Sequence, residues 1–345
     1  MIFSEVILSW YAIHKRELPW RKTKNPYFIW LSEIMLQQTR VAQGLPYYLK
    51  FTERFPTVFD LAKAPEDEVL KMWQGLGYYS RARNLHYTAK HIANQFNGIF
   101  PDSYKELVKL KGVGDYTASA IASICFNEAT PVVDGNVYRV LARYFGIDLP
   151  INSTEGVKYF KEIATVHMGT KDPGTYNQAI MEFGANQCKP QSPDCSNCPL
   201  AVDCVALASG KVKELPVKLK KNKVKKRFFN YLLVHDGDTA LLQQRLKKDI
   251  WQHLFEFPLI ESDQEIDKVQ IREHQILQEV TKGKNFELEL YNKTSKVHKL
   301  SHQHIYTRFW IVKLQESLNE GIALERLKDY AVPVLIANFV EEYRF

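Results

Sequence analysis

Several features that would assign a class at once are missing from this sequence. No apolar run approaches the roughly 20 residues that a membrane-spanning helix needs. The N-terminal stretch MIFSEVILSWYAIHKRELPW has no cationic start and carries acids inside its apolar part, so it does not predict a secretory signal. Cysteine is scarce, with five in 345 residues. We therefore expect a cytoplasmic protein whose cysteines serve something other than disulfides.

Charge is only mildly unbalanced, with a formal net charge of +7 and a pI of about 8.9. A polyanionic partner is compatible with this excess, but many basic proteins never bind nucleic acid. The composition, 45% apolar and 25% charged, is that of a globular protein and excludes a largely disordered chain. A chain of 345 residues is long enough for two or three domains with separate cores.

The pattern of apolar residues changes once along the chain. Up to residue 208 it is helical almost throughout, which predicts an all-α domain over residues 1–208. Residues 209–227 are rich in lysine and predict a solvated linker that also lies against phosphates. Residues 228–345 predict an α+β domain. Its predicted elements are a hairpin around residues 235–238, a helix near 265–280 and strands at 286–291 and 305–314.

Four of the five cysteines fall close together. Cys188, Cys195, Cys198 and Cys204 follow the spacing Cys-x6-Cys-x2-Cys-x5-Cys. In a reducing compartment such clustering indicates a metal site. The thiols alone leave open a zinc ion, which four thiolates suit well, and an iron–sulfur cluster, which also takes four cysteines.

The stretch LKGVGDYTASAIASICFNEATPVVDGNVYR, residues 110–139, carries a Gly-x-Gly turn between two predicted helices and a carboxylate just before a third. Gly112 and Gly114 permit a tight turn and leave the first N–H groups of the next helix free for an anion. Taken alone, the glycines are equally typical of a packing turn, and Asp134 is equally typical of a helix N-cap.

This stretch resembles the helix-hairpin-helix and catalytic aspartate of the endonuclease III superfamily of DNA glycosylases. Further stretches resemble motifs of the same family: RELPWR (16–21), WLSEIMLQQTRV (30–41), GLGYYSRARNL (75–85) and NQAIMEFGA (177–185). GANQCKPQSPDCSNCPLAVDC resembles its iron–sulfur loop, and IWQHLFEFPLIE resembles the C-terminal Nudix-like domain of MutY-type adenine DNA glycosylases. The acidic Nudix metal box is absent, so the second domain is expected to bind rather than to hydrolyse.

The resemblance implies a multi-domain fold, with an all-α helix-hairpin-helix glycosylase domain and iron–sulfur loop followed by an α+β Nudix-like domain. It implies a monomeric repair enzyme that binds double-stranded DNA and excises adenine mispaired with 8-oxoguanine or G, associated with the nucleoid if bacterial. It also implies a [4Fe–4S] cofactor on Cys188, Cys195, Cys198 and Cys204.

The resemblance assigns the chemistry to a few residues. Glu33, with apolar neighbours in WLSEIML, would protonate the leaving adenine and later activate water. Asp134 would stabilise the sugar cation, and Asn136 would hydrogen-bond within the site. Tyr116 stands where bifunctional members carry a catalytic lysine; a phenol cannot form a Schiff base, which favours an enzyme without efficient lyase activity.

The resemblance also assigns residues to DNA. The pocket for the flipped adenine would be lined by Arg16, Leu18, Trp20, Arg21, Tyr116 and Gln178, and Gly112 and Gly114 would face the backbone. Gln38 and Tyr78 would wedge into the duplex, with Thr39, Leu76 and Gly77 contacting the opposite 8-oxoguanine and its neighbours. Ser301 and His302, in KLSHQH, would read the imidazole edge of 8-oxoguanine, although Leu300 replaces the usual phenylalanine of that loop.

Two alternatives of other kinds remain. An endonuclease III-like bifunctional glycosylase is disfavoured by Tyr116 and by the second domain. A non-enzymatic iron–sulfur DNA-binding protein would need neither Glu33 nor Asp134.

Overall fold

A computed structural model describes residues 2–169, 171–219 and 224–344. The chain divides into two compact units, and the first comprises Met1–Lys63 and Asn84–Lys220. The second comprises Ala64–Arg83 and Lys221–Phe345, so it takes in a short segment of the N-terminal half. None of the helices in the described ranges is both long and apolar enough to cross a membrane.

The first unit is helical, in agreement with the pattern of its sequence. A 3-10 helix, Pro19–Lys22, follows the first α-helix. The α-helices of the N-terminal half are α1 (Phe3–His14), α2 (Pro26–Leu36), α3 (Val41–Arg54), α4 (Val58–Lys63), α5 (Glu66–Met72), α6 (Ser80–Gln95), α7 (Tyr104–Leu107), α8 (Asp115–Phe126), α9 (Gly135–Phe145), α10 (Thr154–His167), α11 (Pro173–Asn186) and α12 (Val205–Ala208). Of these, α5 belongs to the second unit, and α6 begins before the unit boundary.

Local sequence explains where the helices that carry the site begin. Asn25 caps α2 through its side chain, and Pro26 at the first helical position fits because its missing N–H would have no partner there. Gly112, in the turn before α8, has φ +80° and lies so close to Asn84 that a Cβ would be 2.7 Å from the Cβ of that residue. The hairpin therefore requires glycine at this position.

The second unit is built on a mixed sheet. Its strands are β1 (Lys225–His235), β2 (Thr239–Ala240), β3 (Gln243–Gln244), β4 (Phe255–Glu256), β5 (Leu259–Ser262), β6 (Phe286–Leu290), β7 (Lys296–Lys299), β8 (Gln303–Leu314) and β9 (Ile322–Ala323). Its remaining helices are α13 (Lys268–Glu273), α14 (Gln275–Thr281), a 3-10 helix (Leu324–Asp329) and α15 (Val334–Glu342). The strand order is β6-β8-β1-β2-β9, with β5 paired to β1, β7 to β8, and β3 and β4 forming a separate pair.

The two long strands lie parallel and are buried on both faces. β1 and β8 pair over their whole length, from Lys225 opposite Gln303 to His235 opposite Lys313. One face packs against α13 and α14 through a core that includes Leu232, Trp310 and Leu277. The other face packs against α15, where the rings of Phe309 and Phe339 stack 4.1 Å apart. This burial on both faces agrees with the apolar stretches YLLV of β1 and FWIV of β8.

Most predicted elements of the second domain are confirmed, with local differences. The predicted strands at 286–291 and 305–314 correspond to β6 and β8. The expected hairpin joins β1 to β2, but β2 has only two residues, because the long partners of β1 are β5 and β8. The predicted helix near 265–280 is two helices separated at His274, whose side chain caps the second of them.

Several residues of the lysine-rich segment 209–227, which the sequence predicted to be a linker, belong to the two units instead. Up to residue 219 it packs on the first unit, where Ile151 donates to the carbonyl of Val217 and Asn152 bonds to the backbone of Leu219. Strand β1 already begins at Lys225. Residues 220–223 of the predicted linker lie outside the described residues.

Candidate active site

A cavity of about 500 Å³ opens in the first unit, and most of the predicted active-site residues line it. The residues come from the first 3-10 helix, α2, α8, α9 and α11, and from the segments next to them. The predicted residues in its wall are Arg16, Leu18, Trp20, Arg21, Glu33, Thr39, Tyr116, Asp134, Asn136 and Gln178. The fold thus brings together two carboxylates that are far apart in the sequence.

Glu33 faces this cavity from a helix that is buried almost all round. Only 8% of Glu33 is exposed, and its neighbours Ser32 and Ile34 are buried as well. Burial raises the pKa of Glu33 to about 7; the charge of Asp134 acts in the same direction, and Tyr116 and Arg21 act against it. A carboxyl group with this pKa is partly protonated at neutral pH and can therefore serve as a general acid.

Asp134 is the N-cap of α9 and faces the same cavity. Its Oδ1 accepts from the backbone N–H groups of Asn136 at 2.9 Å and Val137 at 2.8 Å, and its Oδ2 accepts from the Asn136 side chain at 2.8 Å. Burial raises the pKa of Asp134, whereas these hydrogen bonds and Arg139 favour the charged form. Asp134 can therefore cap α9 and face the cavity at the same time, since capping fixes the position of its carboxylate.

Tyr116 lies beside Glu33 on the first turn of α8. Its hydroxyl donates to Sδ of Met181 at 3.1 Å, and its presence lowers the pKa of Glu33. Burial and the nearby carboxylates hold the pKa of Tyr116 well above its usual range. The residue is thus a neutral hydrogen-bond donor next to the candidate acid.

The sequence reasoning missed Glu182, which organises one wall of the cavity. Its carboxylate accepts from Arg16 Nε at 2.6 Å, Arg16 Nη2 at 2.8 Å and Arg21 Nη2 at 2.7 Å. Its side chain is 1% exposed, and although burial raises its pKa, the two arginines lower that pKa to about 2. Its position one turn after Gln178 on α11 was the available signal.

Two further residues of α11, Gln178 and Asn177, form hydrogen bonds to segments that lie next to the cavity. Gln178 accepts from the hydroxyl of Tyr11 at 3.0 Å. Asn177, fully buried, accepts from the N–H of Val132 at 3.1 Å and donates to the carbonyl of Thr130 at 2.8 Å. These bonds fix the extended segment that leads into Asp134, a role that the sequence reasoning did not assign.

Helices α9 and α11 approach each other closely beside Asn136. A Cβ at Gly184 would lie 2.7 Å from the Cβ of Asn136 and 2.8 Å from its carbonyl oxygen, a contact that a side chain cannot make without moving the backbone. Arg139, one turn further along α9, donates to Asn136 Oδ1 at 2.9 Å, to the carbonyl of Gly184 at 2.6 Å and to the carbonyl of Cys188 at 2.7 Å. One helix therefore joins the cavity to the first residue of the cysteine cluster.

The four clustered cysteines are free thiols at intermediate exposure. Nη1 of Arg143 lies 3.5 Å from Sγ of Cys188, and the Cys204 thiol lies 3.5 Å from the carbonyl oxygen of Arg143. Burial and the neighbouring thiols raise the pKa values of Cys195 and Cys198, the latter to about 11. Within the described ranges, no three His, Cys, Asp or Glu side chains are arranged to share one metal ion.

Three predicted DNA contacts of the first unit lie outside the cavity wall. Gln38 follows α2 with φ +56° and is exposed. Gly112 and Gly114 form the exposed turn before α8. These residues are accessible to a large ligand such as a duplex.

The second unit gathers its predicted DNA contacts at one place. Ser301 and His302 are the exposed tip of the turn between β7 and β8, which is closed by a hydrogen bond from the N–H of Leu300 to the carbonyl of Gln303. The hydroxyls of Tyr78 and Ser301 share a hydrogen bond at 2.5 Å. Beneath them is a cavity of about 240 Å³, lined in part by Tyr78, Leu300 and His302.

Two side chains of the loop before α6 differ in their exposure to solvent. Tyr78 is 41% exposed, whereas Leu76 is 5% exposed. Gly77 and Tyr78 both have positive φ, +72° and +48°. In this conformation Tyr78 is accessible to a partner, and Leu76 packs inside the turn.

Comparison with known proteins agrees with this architecture. Residues 31–162 match the family described as the HhH-GPD superfamily base excision DNA repair protein, and residues 230–342 match the NUDIX domain. An adenine DNA glycosylase of Buchnera aphidicola subsp. Baizongia pistaciae is 38% identical over 318 residues, which cover 90% of this chain and 86% of that protein. The human adenine DNA glycosylase is 44% identical over 213 residues, which cover 59% of this chain and 39% of that protein.

Solved structures agree in fold. A thermostable thymine-DNA glycosylase superposes with a TM-score of 0.56 and 30% identity, over 60% of this chain and 95% of its own. Endonuclease III in a non-covalent DNA complex superposes with a TM-score of 0.52 over 61% of this chain and 94% of its own, at 24% identity. The helical unit has the glycosylase fold, the sheet unit is Nudix-like, and the chain belongs to the adenine DNA glycosylase family of base excision repair enzymes.

Proposed function

We propose that this protein flips adenine mispaired with 8-oxoguanine or G out of duplex DNA and hydrolyses its N-glycosidic bond, without cutting the strand. The observation that carries the proposal is the pair of carboxylates, Glu33 and Asp134, in the wall of one cavity of about 500 Å³. Two carboxylates in different protonation states are the usual means of breaking a glycosidic bond. Family membership supplies the context.

Glu33 is the general acid of this proposal. Adenine leaves poorly as an anion, so the ring must be protonated as the bond breaks. Burial raises the pKa of Glu33 to about 7, so a large fraction of the carboxyl carries a proton at neutral pH. After the bond has broken, the deprotonated Glu33 can accept a proton from the attacking water.

Asp134 stabilises the positive charge that develops on the sugar. Its carboxylate is held by two backbone N–H groups and the Asn136 amide, so it can stay ionised while Glu33 is protonated. Its oxygens cannot swing away, because capping α9 fixes the side chain. This preorganisation is what electrostatic stabilisation of a cationic transition state requires.

The other walls of the cavity receive the extruded base. Leu18 and Trp20 are buried and offer an apolar surface, while Gln178 offers an amide that can pair with an adenine edge. Glu182 pairs with both Arg16 and Arg21 and offsets one of their two positive charges. The pocket therefore holds cations without a large net positive charge that would oppose protonation of the base.

Tyr116 is the basis for proposing hydrolysis alone. A strand-cutting lyase needs an amine that can form a Schiff base with the sugar. The hydroxyl of Tyr116, with its raised pKa, offers no such nucleophile and donates to Sδ of Met181.

The remaining predicted residues are proposed to read the duplex. Ser301 and His302, at an exposed turn, contact the imidazole edge of 8-oxoguanine, and Tyr78 enters the base stack. Gln38, Thr39, Leu76 and Gly77 contact the gap and the opposite base; for Leu76 this requires the turn to open, because the side chain is buried in the free protein.

The cysteine loop is proposed to hold a [4Fe–4S] cluster. The donor set of four thiols without histidine or carboxylate suits iron–sulfur ligation. Arg139 and Arg143 would hold the loop through its carbonyl groups, and the cluster would serve as a structural brace.

One experiment separates this function from its alternatives. The protein is incubated with duplexes that contain A opposite 8-oxoguanine, A opposite G, or thymine glycol, and alkali then reveals abasic sites. We expect cleavage after alkali for the two adenine duplexes only, and fastest for A opposite 8-oxoguanine. Release from thymine glycol, or strand cutting without alkali, would instead indicate a bifunctional enzyme.

A further inference from the structure

The segment Ala64–Arg83 belongs to the same compact unit as the C-terminal half of the chain. It nevertheless lies within residues 31–162, which match the glycosylase family. The segment contains α5 and the loop of residues 75–78, which we call the wedge loop because the proposed function assigns Tyr78 to the base stack.

Both ends of this segment are bound to one loop of the C-terminal half. At the N-terminal end, the Glu66 carboxylate lies 2.5 Å from Nδ1 of His253. At the C-terminal end, Nη1 of Arg83 donates to the carbonyl of Gln252 at 2.7 Å. Two consecutive residues, Gln252 and His253, therefore hold the segment on either side of the wedge loop.

The middle of the segment is bound to another part of the C-terminal half. Nζ of Lys71 donates to the carbonyl groups of Lys328 and Tyr330, the latter at 3.1 Å. Gln74, just before the wedge loop, accepts from the N–H of Val332 at 3.3 Å. These contacts involve backbone groups of residues 328–332, so they depend on the fold of that stretch rather than on its side chains.

The wedge loop is stiff internally. The indole N–H of Trp73 donates to the carbonyl of Gly77 at 3.1 Å, and Nη2 of Arg81 donates to the carbonyls of Leu76 and Gly77 at 3.1 Å and 3.0 Å. The Arg81 guanidinium also lies over the rings of Trp73 and Tyr78, at 5.2 Å and 5.8 Å. In the free protein these contacts hold the loop in one conformation, with Leu76 inside it.

We propose that Glu66, Lys71 and Arg83 are positioning residues that dock the wedge loop on the C-terminal half, so that this loop and the turn carrying Ser301 act as one reading unit. The proposal rests on the proposed function for the roles of Tyr78 and Ser301. A lesion that binds the turn then also fixes the orientation of the wedge. Part of the preference for 8-oxoguanine would thus pass through residues that touch no DNA.

The test uses the full-length protein with Arg83→Gln, Lys71→Met and the double variant Glu66→Gln/Arg83→Gln. Arg83→Lys retains a donor for the Gln252 carbonyl and serves as the conservative variant. The matched controls are Glu106→Gln, which breaks an exposed ion pair with Lys109, and Arg308→Gln, which breaks a pair with Glu265 elsewhere in the second unit. Amide hydrogen exchange of residues 75–79 is measured without DNA, and single-turnover excision is measured for A opposite 8-oxoguanine and A opposite G.

We expect faster exchange of residues 75–79 and about a tenfold loss in the ratio of the two excision rates for the double variant, the size expected for losing charge-assisted hydrogen bonds. Arg83→Lys should have an exchange rate and a ratio of excision rates close to those of the wild type. The two control variants should match the wild type in both measurements. Unchanged exchange in all three variants would overturn the docking, and faster exchange with an unchanged rate ratio would overturn the positioning role. The exchange result decides the docking even if the wild type excises no adenine, which would refute the proposed function alone.

Discussion

At the scale of single residues, the chemistry of the proposed site depends on two carboxylates that the fold treats differently. Glu33 has a pKa of about 7, mainly because of burial. Asp134 is buried too, but three hydrogen bonds favour its charged form. The hydrogen bonds at the start of α9 therefore favour the charged form of Asp134, as its proposed role requires.

Replacing Glu33 by Gln should abolish excision while leaving duplex binding intact. The amide cannot protonate adenine, and loss of a general acid typically costs about 10²–10⁴-fold in rate. The wild-type rate should also fall as the pH rises above about 7, because the carboxyl then loses its proton. Single-turnover rates from pH 5 to 9 check both points, and a variant within a few-fold of wild type would refute the assignment.

Replacing Tyr116 by Lys should introduce lyase chemistry. The new amine would stand beside Glu33 in the cavity and could attack the sugar once the base has left. Borohydride should trap little of the wild-type protein on DNA and clearly more of the Tyr116→Lys variant. Abundant trapping of the wild type would mean that another lysine forms the adduct.

At the scale of elements, α9 is the part of the fold on which the site depends most. Asp134 caps it, Asn136 lies in its first turn, and Arg139 and Arg143 reach the cysteine loop from its later turns. The proposed catalytic anion and the proposed cluster loop are therefore attached to the same helix.

Arg139→Gln should slow excision by about tenfold or more and lower the melting temperature. The change removes a buried donor from Asn136, Gly184 and Cys188, and each buried acceptor left without a partner costs about 1–3 kcal/mol. Arg143→Gln is the control on the same helix, since Arg143 bonds to the loop but not to Asn136. For Arg139→Gln, the iron content and the single-turnover rate should both fall. For Arg143→Gln, the iron content should fall, but the excision rate, divided by the amount of bound cluster, should fall less than for Arg139→Gln.

At the scale of the whole molecule, the division into units does not follow the division into matched families. Ala64–Arg83 lies in the glycosylase part of the sequence but belongs to the compact unit of the C-terminal half. Removing the C-terminal half therefore takes away more than a module for reading the lesion.

A truncated protein that ends at Val224 should lose most of its preference for 8-oxoguanine over G opposite adenine. Ser301 and His302 are removed, and a good hydrogen bond to a base edge is worth about 1–3 kcal/mol of discrimination. Excision opposite G should also be slower than in the full chain, because Glu66, Lys71 and Arg83 lose their partners. Rates for both duplexes decide the matter; a truncated enzyme with the full rate ratio would mean that the lesion is read by Thr39 and Leu76.

The sequence predicted the fold class, the family and most of the cavity wall, because motifs such as WLSEIML and VVDGN keep chemically specific residues in a fixed local setting. It could not reveal that Glu182 pairs with both Arg16 and Arg21, since these contacts join residues more than 160 positions apart. The parallel pairing of β1 with β8 was hidden for the same reason, because a hairpin signal is local and a crossover is not. Long-range contacts also explain why the grouping of Ala64–Arg83 with the C-terminal half was not predicted.

Because of the close packing at Gly184, we expect the protein to tolerate no side chain at this position. One added methyl group would meet the Cβ and the carbonyl oxygen of Asn136 at 2.7 Å and 2.8 Å, so α9 would have to move away from α11. Such a shift would displace Asp134, which we propose stabilises the sugar cation, although none of the proposed catalytic groups had been altered. A glycine-to-alanine change, among the mildest by chemistry, would here act as an inactivating substitution.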